Sequence, residues 1–374
     1  MQIAIDVAGF TPGDADQLRQ AMGSKRSRER MERLRQKLYD GMAERGITGD
    51  VADQIYEKLA AFANYGFPES HSVSFAYLVY ASSWIKLHYP AAFCAALLNA
   101  QPMGFYSPHS LVRDARRHGV VVRTPDINAS AAKATLEHCD ESHGGAAVRL
   151  GIASVRGVGE ELAAEIEAGR PYTSMEDVAR RTSASLAVLE ALATAGAFDS
   201  LAGGRRAALW AAGAVAQSRA GRLPGIVTGV DAPQLPGMSE REVAIADLWA
   251  TGVAPDGHPT QFLREQLAAR GVVTAAGLRA LPSGTKAVVA GVVTHRQRPA
   301  TAGGTTFLNL EDETGFCNVV VSKGCWQRHR VVARTAPAML VRGRVESAEG
   351  VVNLVAERLE PLPLGVATAS RDFR

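Results

Sequence analysis

FANYGFPESHSVSFAYLVYASSWIKLHYPAAF (residues 62–93) is the stretch that says most about how this chain is organised. Glycine and proline at positions 66 and 68 break an incoming helix. Apolar residues then recur at three-and-four spacing until Pro90, which predicts a long buried helix. That helix opens on a polar cluster formed by Glu69, Ser70, His71 and Ser72.

The polar cluster has two interpretations. Hydroxyl and imidazole groups at a helix N-terminus can hold an anion together with the backbone N–H groups. The alternative is an ordinary N-cap by Ser70 or Ser72 with a neighbouring surface histidine, and the residue types alone favour it. His71 is therefore a phosphate ligand only if its wider context supports that role.

Three long segments supply such a context because they resemble one family. YGF-x-x-SHS (65–72) with WIK-x-HYPAAF (84–93) resembles the fingers of bacterial C-family DNA polymerases, the family of the alpha subunit of DNA polymerase III. QIAIDVAGFTPGDADQLRQAMG (2–23) resembles the fingers segment that reaches over the incoming nucleotide. LLNAQPMGFYSPHSLVRDARRHGVVVRTPDIN (97–128) is closer to the error-prone paralogue than to the replicative enzyme. The resemblance covers nearly the whole chain.

A helix start and a basic segment lie near the beginning of the chain. Thr11, Pro12 and Asp14 are typical of an N-cap, a first helical residue and a capping-box partner. Residues 19–37 then carry eight basic residues against two acidic ones, a local field strong enough to hold a triphosphate or a DNA backbone. For residues 28–37 a solvated helix face is the favoured interpretation.

Nucleotide binding is what the resemblance implies for part of this region. The expected phosphate ligands are Arg19, Lys25, Arg26 and His71. Two departures from the family pattern weaken that expectation. Gln20 stands where the family usually has a second arginine, and glutamine cannot replace a bidentate phosphate clamp. Glu69 stands where replicative enzymes often carry lysine, so it repels phosphate.

Bulk properties are those of an ordinary globular chain. The 374 residues are 47% hydrophobic and 21% charged, and a net charge of +3 does not by itself indicate nucleic-acid binding. The beginning carries Asp6 and no basic segment, unlike a signal peptide, and no apolar run is long enough for a membrane span. Four scattered cysteines predict reduced thiols and a cytoplasmic location. The spacing of His138, Cys139 and His143 fits no common metal site.

Residues 146–220 are predicted to be a tandem helix–hairpin–helix region that binds DNA. Residues 152–166 match the full pattern h-x-x-h-x-G-h-G-x-x-x-A-x-x-h. Gly157 and Gly159 would let the backbone approach a phosphate, and Val158 would anchor the hairpin in its own core. An ordinary tight turn is the alternative. A second hairpin begins with a capping box at residues 174–177 but lacks the two glycines, which favours packing over phosphate binding.

The last part of the chain is predicted to be a linker followed by an OB-fold. Residues 221–284 form the linker and connector, without a convincing sliding-clamp-binding pentapeptide. Residues 285–362 contain five alternating strands (287–294, 305–310, 317–321, 338–345 and 351–358), with a helix-compatible stretch between the third and fourth. The acidic residues 311–313 are interpreted as turn formers.

Nucleic-acid contacts of the barrel follow from its aromatic and basic residues. Base stacking is expected from Phe307 and Trp326 and is considered for Phe316, with the barrel core as the alternative. A single-stranded backbone would follow the basic residues Arg296, Arg298, Lys323, Arg328 and Arg330. His109 is expected at the surface.

The fold class is therefore multidomain: a mainly α part, comprising polymerase fingers (residues 1–145) and tandem helix–hairpin–helix motifs, followed by a small β-barrel. The resemblance implies part of an error-prone DNA polymerase of translesion synthesis. Its partners would be primer–template and single-stranded DNA, dNTP, a sliding clamp and mutagenesis accessory proteins, with no membrane. The palm carboxylates that hold Mg²⁺ in the intact enzyme are not expected in this chain, which should be inactive alone. The alternative is a stand-alone DNA-binding accessory protein, in which residues 1–128 would have a complete core.

Overall fold

A computed structural model of the chain describes residues 2–22, 27–65, 69–218, 229, 231–364 and 371–373. Lys25, Arg26 and most of the proline- and glycine-rich part of the predicted linker lie outside the described residues. The described elements form a helical first part, a small three-stranded sheet, a second helical unit and a closed barrel.

In the first part, the described residues form seven helices. They are α1 (Gln2–Ala8), α2 (Pro12–Met22), α3 (Ser27–Ala43), α4 (Asp50–Tyr65), α5 (Glu69–His88), α6 (Pro90–Asn99) and α7 (Pro108–Arg117). The capping box at the start of α2 is confirmed: Thr11 Oγ1 accepts the Asp14 N–H at 3.2 Å, and the Asp14 carboxylate accepts the Thr11 N–H at 3.1 Å. Helices α1 to α4 share a small core that includes Leu18, Leu38 and Met42.

Helix α5 is the predicted long helix, but it is not buried. None of its described side chains at residues 71–88 belongs to the buried class. Its large apolar side chains are 40–73% exposed: Val73, Phe75, Tyr77, Leu78, Val79, Tyr80, Trp84, Ile85 and Leu87. Apolar residues therefore cover the helix without a core to receive them, and α5 joins two separate cores instead of belonging to either.

A three-stranded sheet follows α7. Its strands are β1 (Val122–Arg123), β2 (Thr135–His138) and β3 (Ala146–Arg149), in the order β1-β3-β2. Strand β3 pairs with β1 in parallel and with β2 in antiparallel orientation. Val122 and Val148 pack with residues of α6 and α7 into the second core of the first part.

The second helical unit contains the two predicted hairpins. Its helices are α8 (Glu160–Ala168), α9 (Met175–Arg181), α10 (Leu186–Thr194), α11 (Asp199–Ala202), α12 (Arg205–Val215) and α13 (Glu240–Thr251). A 3-10 helix, Ile152–Ser154, precedes the first hairpin. One continuous core holds Val158, Ile166, Leu189 and Phe198, and it includes Ala250 of α13. Helix α13, which lies in the segment predicted to be linker and connector, thus packs on the hairpin unit.

The barrel has the topology of an OB-fold. After the short helices α14 (Arg264–Ala269) and α15 (Ala275–Arg279) come β4 (Lys286–Gln297), β5 (Thr306–Asp312), β6 (Gly315–Val321), α16 (Lys323–Arg328), α17 (Arg330–Thr335), β7 (Ala338–Ala348), β8 (Val351–Pro361) and β9 (Arg371–Phe373). The order β5-β6-β8-β7-β4 closes because β4 also pairs with β5. Helices lie between the third and fourth barrel strands, as predicted. Strand β9 pairs with β4 in parallel.

The end of β5 joins the barrel to the helical part. Glu311 and Asp312 are buried strand residues, and Arg117 of α7 lies 3.3 Å from Glu311. Arg264 of α14 contacts Asp312 and Glu313. Of the acidic residues interpreted as turn formers, only Glu313 lies beyond the end of β5. All three carboxylates pair with arginines of the neighbouring segments.

Candidate nucleic-acid interface

The first hairpin has the geometry that its motif predicts. Gly157 adopts φ +78°, a left-handed conformation that favours glycine, and Val158 between the glycines is buried in the core of the unit. Gly159 is the extended N-cap of α8, and no side chain caps the helix there. The first N–H groups of α8 have no partner within the helix, so this end is suited to a phosphate. Glu160 and Glu161 occupy its first turn and oppose an anion.

The second hairpin uses its backbone differently. Ser185 caps α10 by accepting the Val188 N–H, and the Glu165 carboxylate of α8 accepts both the N–H and the hydroxyl of Ser183. A carboxylate of the protein thus binds the backbone of the second hairpin two residues before its N-cap, and a serine side chain caps the helix. At the start of α9, the Ser174 side chain accepts a hydrogen bond from the Asp177 N–H at 3.1 Å. The Asp177 carboxylate accepts one from the Thr173 N–H and not from the Ser174 N–H, so only half of the predicted capping box forms. These internal contacts favour the packing role expected for this hairpin.

On the barrel, most of the candidate residues lie where solvent can reach them, and Arg298, Lys323 and Arg330 are exposed. Phe307 on β5 is 40% exposed, and Arg328 at the end of α16 is exposed. Trp326 is half-buried: its ring packs on the barrel core, and the Arg298 guanidinium carbon lies 5.0 Å from the ring centroid. The aliphatic part of Lys323 lies beside Gly304, in the loop between β4 and β5.

Arg296 does not join this surface. It is buried at 8% exposure, and its guanidinium donates hydrogen bonds to the carbonyl oxygens of Ala333 (2.9 Å) and Ala336. The side chain thus holds the end of α17 against the barrel and is not available to a nucleic-acid backbone. Phe316 also faces the protein, because Arg117 lies over its ring at 5.2 Å.

The two candidate nucleotide ligands that the structure describes lie on different helices. Arg19 on α2 is exposed and pairs with Asp16, from its Nη2 to Oδ1 at 2.8 Å. The same carboxylate accepts the Gln20 side chain at 2.8 Å, so Asp16 partly neutralises the position. His71 on α5 is exposed and packs edge-on against Phe75, with 4.5 Å between the ring centroids. Helix α2 also contacts the Ala300–Ala302 turn of the barrel, which brings the fingers region next to the β4–β5 loop.

Sequence reasoning overlooked one basic side chain at the hairpin. Arg156 is exposed and lies between Val155 and Gly157, at a position where the motif accepts any residue. Its guanidinium carbon lies 4.9 Å from the ring centroid of Trp249 on α13. A basic residue inside a phosphate-binding motif was the available signal, but nothing local could predict its tryptophan neighbour.

The described residues contain neither a metal-binding cluster nor a helix that could span a membrane. Nowhere in residues 2–22, 27–65, 69–218 and 231–364 do three His, Cys, Asp or Glu side chains lie together so that they could hold a metal ion. No helix in the described parts is sufficiently long and apolar to cross a membrane. All four cysteines are buried free thiols, and burial raises the pKa of Cys94 and Cys317 to about 12. His109, expected at the surface, stacks near the buried His258 with 5.9 Å between the ring centroids.

Three protein-family models match the chain in succession. Residues 1–46 match the finger domain of the bacterial DNA polymerase III alpha subunit, and residues 119–208 match a helix–hairpin–helix motif. Residues 287–362 match an OB-fold nucleic-acid-binding domain. Among solved structures, an asparaginyl-tRNA synthetase from Pyrococcus horikoshii covers 24% of this chain and 22% of its own at 26% identity, with a TM-score of 0.21.

Curated relatives match this chain from its first to its last residue. An error-prone DNA polymerase from Nocardia farcinica is 62% identical over 100% of this chain and 33% of its own length. Those of Mycolicibacterium paratuberculosis (59%) and Mycobacterium tuberculosis (58%) each match 100% of this chain and 34% of their own. The chain thus spans about a third of the length of these relatives. Over its whole length the chain is therefore similar in sequence to the C-terminal portion of error-prone DNA polymerases.

Proposed function

We propose that this chain provides the DNA grip and part of the nucleotide-phosphate contacts of an error-prone DNA polymerase that acts in damage-induced mutagenesis and translesion synthesis. The first hairpin carries the proposal. Gly157 is left-handed, Val158 is buried and the N-terminus of α8 is open, which is the arrangement that a DNA phosphate needs. Contacts of this kind position duplex DNA without reading its sequence, as a polymerase requires.

Single-stranded template is the proposed ligand of the barrel. Phe307 and Trp326 offer aromatic surface for stacking, and Arg298 and Arg328 offer positive charge for the backbone. Arg296 has no part in this proposal because its guanidinium bonds the barrel's own backbone.

The incoming dNTP is the proposed ligand of the basic residues in the fingers region. Arg19 and His71 are exposed, and Lys25 and Arg26 follow α2 in the sequence. Because Asp16 holds both Arg19 and Gln20, we expect the phosphate grip of this region to be weak unless a ligand displaces Asp16.

The Mg²⁺ ions of polymerase chemistry do not fit the described residues of this chain. No cluster of three potential ligands occurs among them, and several carboxylates already have cationic partners: Asp14 bonds Lys37 at 2.6 Å, Asp16 bonds Arg19, and Glu311 faces Arg117. We therefore place the catalytic metals on residues outside this chain and expect no primer extension from the chain alone.

The exposed helix α5 favours a polymerase part over a stand-alone accessory protein. An accessory protein would need a complete core within residues 1–128, yet α5 exposes nine large apolar side chains between two separate cores. Such a surface is typical of an interface. By analogy with the family, further partners would be a sliding clamp and mutagenesis accessory proteins in the cytoplasm.

Fluorescence anisotropy with a labelled primer–template tests the proposal. We expect the logarithm of the association constant to fall linearly with the logarithm of the salt concentration, with a slope of about −0.9 per phosphate contact. Gly157→Ala puts a side chain at φ +78° and should weaken binding roughly tenfold, about 1.4 kcal/mol. Gly203→Ala is the matched control, because Gly203 has φ +67° and open space around it but lies after α11, away from the hairpin sequence. It should bind within about twofold of wild type.

Two results would contradict the proposal. If folded Gly157→Ala binds primer–template as tightly as wild type, the hairpin is not the DNA grip. If the purified chain extends a primer with Mg²⁺ and dNTPs, the metal ligands are in this chain after all.

A further inference from the structure

The connector helix α13 ends against the first hairpin. Its residue Ala250 lies in the core of the hairpin unit, and the Ala250 carbonyl accepts the Arg156 N–H at 2.7 Å. On the neighbouring turn of α13, Asp247 is buried and its carboxylate bonds Arg205 of α12 at 2.7 Å. The end of α13 is therefore fixed relative to the phosphate-binding backbone.

Trp249 precedes Ala250 and points the other way. It is 47% exposed, and the Arg156 guanidinium carbon lies 4.9 Å from its ring centroid. A cation over an indole face is a favourable contact that also holds the long arginine side chain in place. Exposed tryptophan combined with exposed arginine is typical of binding surfaces.

We propose that Arg156 and Trp249 form a second DNA contact beside the hairpin. The guanidinium binds a backbone phosphate, and the indole packs on the deoxyribose of the same strand. The ligand is duplex DNA of any sequence, because phosphate and sugar carry no base information. This inference rests on the proposed DNA-binding role of the hairpin and extends its surface to the connector.

Charge explains why the hairpin needs this neighbour. Glu160 and Glu161 occupy the first turn of α8 and repel the phosphate that its N–H groups attract. Arg156 is one residue before Gly157 and restores a positive charge at that point. Because its guanidinium already stacks on Trp249, little side-chain freedom is lost when DNA binds.

The test uses the whole chain and a fluorescein-labelled duplex of 20 base pairs or so, by anisotropy at several salt concentrations. Trp249→Ala and Arg156→Gln should each weaken binding roughly tenfold. Arg156→Gln should also reduce the salt slope by about one unit, whereas Trp249→Ala should leave the slope unchanged because it removes only apolar contact. Arg156→Lys should lie between wild type and Arg156→Gln, since lysine keeps the charge and loses the planar stack.

Trp210→Ala is the matched control, because Trp210 is an exposed tryptophan of α12 that the proposal does not use. It should bind within about twofold of wild type. A variant with Trp84, Trp210 and Trp326 changed to phenylalanine keeps Trp249 as its sole tryptophan, and its emission should change when duplex is added.

The outcomes separate this inference from the proposal it rests on. Wild-type binding that Gly157→Ala weakens, combined with unchanged affinity of Trp249→Ala and Arg156→Gln, overturns the inference alone. An unchanged Trp249 emission on saturation with duplex also overturns it, even if Trp249→Ala proves unstable. Failure of wild type to bind duplex removes the proposed function as well.

Discussion

Arg205 and Arg206 are neighbours on α12 that pair with carboxylates of α13 in opposite surroundings. Arg205 bonds Asp247 at 2.7 Å with both side chains nearly inaccessible, 9% and 5% exposed. Arg206 bonds Glu242 at the same distance with 34% and 47% exposed. Burial raises the pKa of Asp247 to about 6, and Arg205 opposes that rise. The chain thus offers a buried and an exposed ion pair side by side.

We expect Arg205→Gln to lower the free energy of unfolding by about 3–5 kcal/mol, because it leaves the Asp247 carboxylate buried without its counter-ion. Arg206→Gln should change it by at most about 1 kcal/mol, because water screens the exposed pair. Urea unfolding followed by far-ultraviolet circular dichroism measures both. Equal losses from the two variants would show that burial does not decide the strength of these pairs.

Arg296 and Arg298 show what the sequence can and cannot predict at this scale. Both are basic residues at the end of an alternating strand, and both were interpreted as nucleic-acid ligands. Alternation from the buried Val289 and Val293 would direct Arg296 outward. The register of β4 against β5 shifts between Val293 and His295, and Arg296 is buried beneath the end of α17. A bulge of this kind depends on the partner strand, so the pattern of one strand cannot reveal it.

At the scale of the element, β7 and β8 come into unusually close contact at Gly343. A Cβ atom there would lie 2.2 Å from the carbonyl oxygen of Val355, and the register of the pair shifts between Arg342 and Gly343. Only glycine permits this approach without a backbone movement. A methyl group at position 343 would therefore push β7 and β8 apart.

Gly343→Ala should destabilise the barrel by about 1–3 kcal/mol, the usual cost of overpacking. Amide hydrogen exchange measured by mass spectrometry should show the loss in β7 and β8. Gly324→Ala in α16 is the control: its Cβ would have only ordinary contact with Arg328, and alanine favours the helix by up to about 1 kcal/mol. Unchanged protection of β7 and β8 in Gly343→Ala would contradict the close approach.

The positions of helices and strands were predicted better than their pairing and burial. Local signals located the five barrel strands, the capping box of α2 and the first hairpin, because period-two alternation, caps and left-handed glycines are properties of short segments. The pairing of the small sheet could not be predicted, since β1 has only two residues and β2 and β3 four each. Burial of α5 was predicted from its apolar pattern, but a pattern cannot specify which surface receives it.

At the scale of the whole molecule, the junction between barrel and helical part was not predictable from sequence. Arg117 and Glu311 are 194 residues apart, so no motif connects them. Thr260 donates its hydroxyl hydrogen to Glu313 at 2.6 Å, and Thr260 Oγ1 lies 2.7 Å from Nδ1 of the buried His258. A cavity of about 230 Å³ lies between these segments, lined by His109, His258, His295 and Glu311 among others. Charged and titratable groups therefore bridge the barrel and the helical part.

This junction should make the stability of the molecule depend on pH. Burial is the main reason why the pKa of His109 is lowered to about 4 and that of His258 lies well below 6.5, and the nearby arginines Arg113 and Arg117 act in the same direction. The unfolded chain binds protons at both histidines near pH 6.5, whereas the folded chain does not. Above about pH 6.5 these histidines therefore do not lower the free energy of unfolding, and as the pH falls towards 4 they lower it increasingly.

We expect the free energy of unfolding to fall by roughly 1–2 kcal/mol per histidine between pH 7.5 and pH 5. His258→Gln should remove about half of that pH dependence, because glutamine does not titrate. His143→Gln, at an exposed position, should leave it unchanged. Urea unfolding of the three proteins at a series of pH values measures the difference. Burial raises the pKa of Glu311, so a falling pH stabilises the folded state through this carboxyl group. Because Glu311 is present in all three proteins, differences between them report only on the histidines. If His258→Gln and wild type lose stability in parallel, protonation of His258 is not a source of the pH dependence.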